Sequence, residues 1–289
     1  MINNNDVIKN NKIKGDWADN FVQAWKYYTG SARASKADLE LIKSMILQKI
    51  KENKEKCLDI CKFKILILGS TSEYRNLCAE LNIACACFDY SKFNFEYLKE
   101  EIINLPEETL INDNWLTHVI NEKFDIILGD VVINQMKKED VPLLLKNISL
   151  MLKPNGLFMP RVHIKEDGER YSPEKAVDEY RKLGNPKPIY NYLMRNMYIA
   201  GYDFEQDYVL LDNVYAAGKH AFDKGLLTAE EFEIFDLCDF KDRKKYLFYI
   251  PTRNDIIKFL NEYFEIIDTF YGAECQQPEV YPLFVLKKK

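Results

Sequence analysis

The chain has 289 residues, a net charge of -5, 47% hydrophobic residues and 13% aromatic residues. This composition is typical of a globular protein with a sizeable core and excludes general disorder. The acidic balance, with no basic cluster interleaved with aromatic residues, argues against a nucleic-acid partner, because phosphate binding needs a positive face.

Apolar runs in the sequence stay shorter than a membrane span, and the first residues lack the hydrophobic core of a signal peptide. We therefore expect a cytoplasmic protein with no membrane partner. The seven cysteines are expected to be reduced and buried. Cys57 and Cys61 lack a second Cys or His pair at zinc-site spacing, so we expect no metal site. The oligomeric state stays open.

The N-terminal part contains two predicted helices. Residues 16–28 repeat aromatic side chains at steps of three and four, and Ser35 with Asp38 forms a capping-box pattern before a second apolar stripe. We interpret residues 1–62 as a helical lid; the alternative is that both helices only cover an edge of the sheet. The side chains that would face a ligand are Trp25, Tyr27, Tyr28 and Arg33.

A strand, a tight turn and a helix are predicted around Gly69. Residues 65–68 form a short β-branched apolar run, typical of a strand buried on both faces of a parallel sheet. Helix-capping residues follow Gly69, and residues 83–88 predict a second buried strand that ends at Asp89. A nucleotide-binding sheet places a carboxylate there for the ribose hydroxyls.

The turn has only one glycine. A dinucleotide site needs G-x-G-x-x-G, so that the backbone can approach a pyrophosphate. With Gly69 alone, the sequence favours a cofactor without phosphates.

Three further strands are predicted downstream. Leu110 and Ile111 form a short third strand, residues 124–130 form a fourth that ends in Gly-Asp, and a helix over residues 138–152 ends at the turn 153–156. A fifth strand starts at Leu157. Residues 164–251 are too long for an unstructured loop, so we predict a helical cap there, and residues 252–289 close the sheet with a helix and two strands.

Three segments, taken in chain order, resemble bacterial class I S-adenosylmethionine-dependent methyltransferases. They are Leu66–Arg75, Phe124–Asp130 and Lys153–Phe158. The resemblance implies an α/β fold: a seven-stranded, mostly parallel sheet with helices on both faces, an N-terminal helical lid and a large helical insertion after the fifth strand. Residues 63–163 and 252–289 would bind S-adenosyl-L-methionine, and residues 164–251 would bind the substrate.

The same resemblance assigns roles to individual residues. Asp89 would bind the ribose, Asp113 the adenine amine with Trp115 stacking, and Asp130 would lie near the methyl group. The cofactor-binding set is Gly69, Ser70, Thr71, Glu73, Arg75, Asp89, Tyr90, Asp113, Asn114, Trp115 and Asp130. His163 and Asp130 are the catalytic candidates, and the substrate-binding candidates are Tyr28, Asn134 and Tyr198.

Structural alternatives stay open for these residues. Asp113 and Asp130 also suit ordinary turns, and a histidine at a strand end is often structural. The leading hypothesis is a methyltransferase acting on a small-molecule or peptide-like acceptor. The alternatives are a non-catalytic protein that kept the fold and a nicotinamide-dependent oxidoreductase.

Overall fold

A computed structural model describes residues 33–56, 62–104, 107–185, 190–239, 247–272 and 278–289. These residues form a seven-stranded, mostly parallel sheet with helices on both faces, which confirms the predicted fold class. The predicted aromatic helix at residues 16–28 lies outside the described residues, and so do Cys57 and Cys61.

The strands are numbered along the chain. They are β1 (Ile65–Leu68), β2 (Cys85–Phe88), β3 (Glu108–Ile111), β4 (Phe124–Asp130), β5 (Leu152–Arg161), β6 (Tyr202–Asp203), β7 (Tyr208–Leu210), β8 (Leu247–Phe248), β9 (Phe264–Phe270) and β10 (Leu283–Lys288).

The α-helices are α1 (Lys36–Glu55), α2 (Ser72–Glu80), α3 (Lys92–Tyr97), α4 (Val141–Met151), α5 (Pro173–Lys182), α6 (Arg195–Ala200), α7 (Leu211–Asp223), α8 (Ala229–Asp239) and α9 (Arg253–Tyr263). Short 3₁₀ turns occur at Leu98–Glu101, Ile133–Gln135, Lys138–Asp140 and Pro278–Val280, and a π-helical turn at Tyr190–Met194.

The strand order in the large sheet is β3-β2-β1-β4-β5-β10-β9. The first five strands run parallel, whereas β10 runs antiparallel to both of its neighbours. The chain starts at β1, extends outward through β2 and β3, and then returns to β4 on the other side of β1. The strand order therefore reverses between β1 and β4, which is where ligands bind in open α/β sheets.

Side chains alternate between two apolar layers because successive strand residues point to opposite faces. Helices α4 and α9 cover one face with residues such as Leu144 and Ile256. Helices α1 and α2 cover the other with residues such as Ile42 and Leu77. The described part of the predicted lid, helix α1, therefore packs on the body of the sheet.

Several predicted helix starts are confirmed. The Ser35 side chain accepts from the Asp38 backbone in a full capping box. The side chains of Ser172 and Thr252 each accept from a backbone amide in the first turn of α5 and α9. The bounds of β5 differ from the prediction, because this strand already begins at Leu152. Leu152 pairs with Phe124 and Leu157 with Ile126, so the Pro-Asn-Gly turn lies within the strand as a bulge, with φ of +61° at Asn155.

Residues 164–251 contain α5 to α8 and also a small sheet in the order β6-β7-β8. The predicted helical cap therefore also contains short strands, which the sequence did not indicate because strands of two or three residues show no alternation. An apolar cluster around Met197, Tyr198 and Val214 packs these elements together. The two ends of the segment meet, since the Lys165 amide donates to the Pro251 carbonyl at 2.9 Å.

Among the described helices, none combines the length and the apolar character that crossing a membrane requires.

Candidate functional site

Four neighbouring strands end at one edge of the sheet with a glycine or a charged residue. Gly69 follows β1, Asp89 follows β2, Asp130 is the last residue of β4 and Arg161 is the last residue of β5. Leu68 pairs with both Phe88 and Gly129, and Asp130 pairs with Arg161, so these strand ends lie side by side. The candidate site is this edge at the reversal point of the strand order.

The loop after β1 is open. Gly69 has φ of +88°, a conformation that residues with a side chain rarely adopt. Its amide donates to the Phe88 carbonyl at 2.8 Å, which fixes the turn. Among the described residues, no heavy atom lies within 4 Å of a Cβ built at Gly69. Within this part of the chain the turn therefore leaves open space at its backbone, where a ligand can approach.

Asp89 is held by the loops around it. Ser70 Oγ donates to one carboxylate oxygen at 2.5 Å, and the Ser91 amide donates to the other at 2.8 Å. The side chain is buried. These two hydrogen bonds orient the carboxylate at the end of β2.

Trp115 lies beside the same loop. Its Nε1 donates to the Phe88 carbonyl at 2.6 Å, and the half-buried ring packs against the apolar layer that includes α4. Asn112 Nδ2 donates to the carbonyls of Asp89 and Tyr90 at 3.0 and 2.7 Å. These hydrogen bonds join the segment after β3 to the segment after β2. The half-buried Tyr90 and the indole ring of Trp115 therefore lie on the Asp89 side of the site.

Three predicted cofactor residues have other partners. Arg75 is fully buried and donates to both oxygens of Glu108 and to the Phe95 carbonyl. Asp113 is about half exposed and lies 3.0 Å from His118 Nδ1. The side chain of Asn114 accepts from the Leu116 amide, as in an ordinary turn. The structure therefore gives these three residues local structural contacts.

The first turn of α2 carries the remaining predicted residues of this loop. Thr71 occupies the N-cap position without a side-chain capping bond, so its hydroxyl is not used there. Glu73 forms an ion pair with Arg33, which joins α2 to the chain segment before α1. Tyr74 is fully buried, and within the described part of the chain its hydroxyl has no hydrogen-bond partner.

Asp130 and Arg161 form a buried ion pair across β4 and β5, with Oδ1 and Nε 2.7 Å apart. Burial raises the pKa of Asp130, and the adjacent guanidinium opposes that rise. Although burial disfavours the charged guanidinium, the carboxylate raises the pKa of Arg161 above its ordinary value. Arg161 therefore stays charged and orients Asp130 at the strand ends.

The backbone after Asp130 adopts a rare conformation. Val131 has φ of +47°, which is a strained value for a β-branched residue. Its amide donates to the Arg161 carbonyl at 2.9 Å, and this bond holds the turn in place. Strain of this kind costs on the order of 1–3 kcal/mol and concentrates at functional sites.

His163 lies just beyond β5 and is buried. Its ring stacks on Tyr281 with centroids 4.6 Å apart, and among the described residues Nε2 has no hydrogen-bond partner. Burial lowers the pKa of His163 well below its ordinary value, and the charges of Arg195, Arg161 and Lys165 lower it further. The imidazole is therefore neutral at pH 7.

Asn134 positions the backbone around His163. Its Nδ2 donates to the carbonyls of His163 and Tyr249 at 2.7 and 2.8 Å, and its Oδ1 accepts from the His163 amide at 2.9 Å. The Asn134 side chain is completely buried, so its amide group makes all three hydrogen bonds inside the protein. Tyr198 lies 6.4 Å from the His163 ring and stacks on Phe248. Tyr28 lies outside the described residues.

Three neighbours of the site are missing from the sequence-based set. Arg161 could have been noted as a charged residue at the end of an apolar strand. Tyr74 has only a weak signal, its place on the apolar side of α2. Tyr281 precedes β10 in the chain and meets His163 only through the fold, so no local pattern indicates it.

Similar folds occur among solved structures. A protein from Rhodobacter sphaeroides that carries the name of a Zn-dependent alcohol dehydrogenase has a TM-score of 0.59 and 14% identity over 96% of this chain and 99% of that chain. The N-methyltransferase NodS from Bradyrhizobium japonicum, solved with S-adenosylhomocysteine, has a TM-score of 0.45 and 9% identity over 88% of both chains. No family model and no curated protein matches the chain.

Magnesium protoporphyrin IX methyltransferase from Synechocystis, solved with bound S-adenosylhomocysteine, has a TM-score of 0.46 and 10% identity over 88% of this chain and 84% of that chain. What decides the fold is the strand order together with the antiparallel β10. The fold is that of the Rossmann-like class I methyltransferases. At these identities the similarity concerns the fold and leaves the activity of this chain to be argued from its own residues.

Proposed function

We propose that this chain is an S-adenosylmethionine-dependent methyltransferase of the cytoplasm that acts on a small-molecule or peptide-like acceptor. The observation that carries the proposal is the open Gly69 turn beside the preoriented carboxylate of Asp89. Without further glycines, this loop suits a ribose and a linkage without phosphates better than a pyrophosphate.

The residues around the turn fit such a cofactor. Asp89 would hold the ribose hydroxyls, and the indole of Trp115 offers an apolar wall next to them. Asp130 lies at the next strand end, within electrostatic range of Glu73 on the first turn of α2. Bound S-adenosylmethionine supplies a methyl group on a positively charged sulfur. Asp130 adds negative charge on that side of the site and is held in place by Arg161.

His163 is our candidate base. A neutral imidazole can accept a proton from an acceptor hydroxyl or ammonium group, and among the described residues its buried Nε2 has no hydrogen-bond partner. Stacking on Tyr281 fixes the ring plane, and Asn134 fixes the backbone of His163. Much of the rate of methyl transfer comes from alignment, so the main task of these residues is to hold the two reactants close and in line.

The test is calorimetric titration with S-adenosylhomocysteine. We expect the wild-type chain to bind it and Asp89→Asn to bind it about tenfold or more weakly, since charged hydrogen bonds are lost. Asparagine keeps an acceptor for the Ser91 amide, so the loop should survive. The control is Asp223→Asn, which changes an exposed carboxylate on α7 paired with Lys219. Equal affinities in all three proteins would contradict the assignment of Asp89.

Two parallel measurements separate the alternatives. The name of the Rhodobacter sphaeroides structure makes a nicotinamide cofactor the competing ligand, and binding of NAD(H) without binding of S-adenosylhomocysteine would favour an oxidoreductase. A lysate labelled through radioactive S-adenosylmethionine reports on turnover. Binding without a labelled product, in the presence of peptide and small-molecule fractions, would favour the non-catalytic alternative.

A further inference from the structure

Two thiols and one carboxylate meet on the strands β2 and β3, in the buried layer that α2 covers. Cys85 and Cys87 point to the same face of β2 because strand side chains alternate with period two. Glu108 on β3 pairs directly with Cys85. The sulfur atoms of Cys85 and Cys87 and a carboxylate oxygen of Glu108 all lie within 4.8 Å of one another.

Cys78 adds a third thiol from α2. All three cysteines are buried in the layer between α2 and the sheet, and Cys85 is 5% exposed at the start of β2. Two thiols and a carboxylate thus lie together in a buried site, and the helix that covers it carries a third thiol.

Arg75 balances the charge of the cluster. Its guanidinium donates to both oxygens of Glu108, at 2.8 and 2.6 Å. Two thiolates and a carboxylate carry three negative charges, and the guanidinium offsets one of them. The remaining two would be neutralised by a dication, which matters because uncompensated charge is costly in a buried site. Arg75 would then orient the carboxylate ligand from behind, as outer partners of metal sites do.

We propose that Cys85, Cys87 and Glu108 bind a thiophilic dication of the zinc class. Cysteine sulfur and carboxylate oxygen are both ligands that zinc takes in proteins. On binding, the Cys85 and Cys87 thiols lose their protons to solvent as the metal–sulfur bonds form. The site joins β2 to β3, and it is independent of the proposed methyltransferase function.

The test uses Co²⁺ as a spectroscopic probe, under a phosphine reductant that keeps the thiols reduced. In the full chain, serine replaces four cysteines, Cys57, Cys61, Cys238 and Cys275. The only thiols left are then those of Cys78, Cys85 and Cys87. We expect one equivalent of Co²⁺ to give thiolate charge-transfer absorption and the visible bands of tetrahedral cobalt. One equivalent of Zn²⁺ should bleach them and release protons, followed with an indicator dye.

The variants are Cys85→Ser and Cys87→Ser, with Asp113→Asn as a control outside the cluster. We expect either serine variant to lose the cobalt spectrum while keeping the far-ultraviolet circular dichroism of the fold. If a serine variant fails to fold, mass spectrometry of the folded four-serine protein under native conditions gives the metal content instead. No bound equivalent in that protein, or an unchanged spectrum in a folded Cys87→Ser variant, would overturn the proposal.

Discussion

The carboxylate of Asp130 and the guanidinium of Arg161 form an ion pair of 2.7 Å that joins the ends of β4 and β5 inside the protein. Removal of one partner leaves the other charge buried, which typically costs about 3–5 kcal/mol. We expect Asp130→Asn and Arg161→Met each to lower the free energy of unfolding by about that amount. The double variant should lose clearly less than the sum, as measured by urea unfolding; additive losses would contradict the coupling.

His163 predicts a pH dependence of stability. Its pKa is lowered in the folded state, so between pH 7 and 5 the unfolded chain binds a proton that the folded chain does not. The free energy of unfolding should therefore fall with acidification below the unfolded pKa of about 6.5, by up to about 1.4 kcal/mol per pH unit. His163→Gln should flatten this dependence, whereas the control His118→Gln, at an exposed position, should keep it. Equal slopes would show that His163 does not carry the effect.

Gly129, near the end of β4, is sterically constrained by the turn after the strand. A Cβ at this position would lie 2.7 Å from Cγ2 of Val132. We expect Gly129→Ala to cost about 1–3 kcal/mol of stability, as overpacking does, and part of that loss to be recovered when Val132→Ala is added. Gly69→Ala is the matched contrast: space is open there but φ is +88°, so its cost should be independent of Val132. Thermal and urea unfolding measure the stability of both glycine variants, each with and without Val132→Ala.

Asn134 was predicted to bind substrate, and its hydrogen bonds favour a positioning role. Alanine would leave the amide of His163 and two carbonyls without their partner, so we expect Asn134→Ala to lower the free energy of unfolding by about 2–4 kcal/mol. Asn134→Asp should destabilise as well, because a carboxylate cannot donate to the His163 and Tyr249 carbonyls. A variant of full stability with a raised KM alone would instead support direct substrate contact.

The sheet could be predicted from the sequence because each of its central strands is a local apolar run bounded by turn residues. Gly69, Asp89 and Asp130 could be found for the same reason, since they follow those runs directly. Contacts between residues far apart in the chain could not be predicted in this way. Tyr281 reaches His163 only once β10 has paired with β5. The short strands of the inserted segment were also missed, since two residues show no alternation.

The cysteine cluster could not be predicted from the sequence either. The spacing typical of zinc-binding turns points to Cys57 and Cys61 instead. Cys85 and Cys87 are separated by one residue, and this spacing brings two thiols together only if the segment is a strand. Glu108 joins them through the pairing of β2 with β3, which no spacing along the chain indicates.

The hydrogen bond between the Lys165 amide and the Pro251 carbonyl brings together the two ends of the inserted segment, which we call the cassette. Because the chain leaves and re-enters at the same point, a short turn could replace the whole segment without a change of register in the seven-stranded sheet. Lengthening, trimming or exchange of the cassette would likewise leave the strand ends of β1, β2 and β4 in place. A scaffold of this kind can vary its inserted segment without rebuilding the strand ends that we propose as the cofactor site.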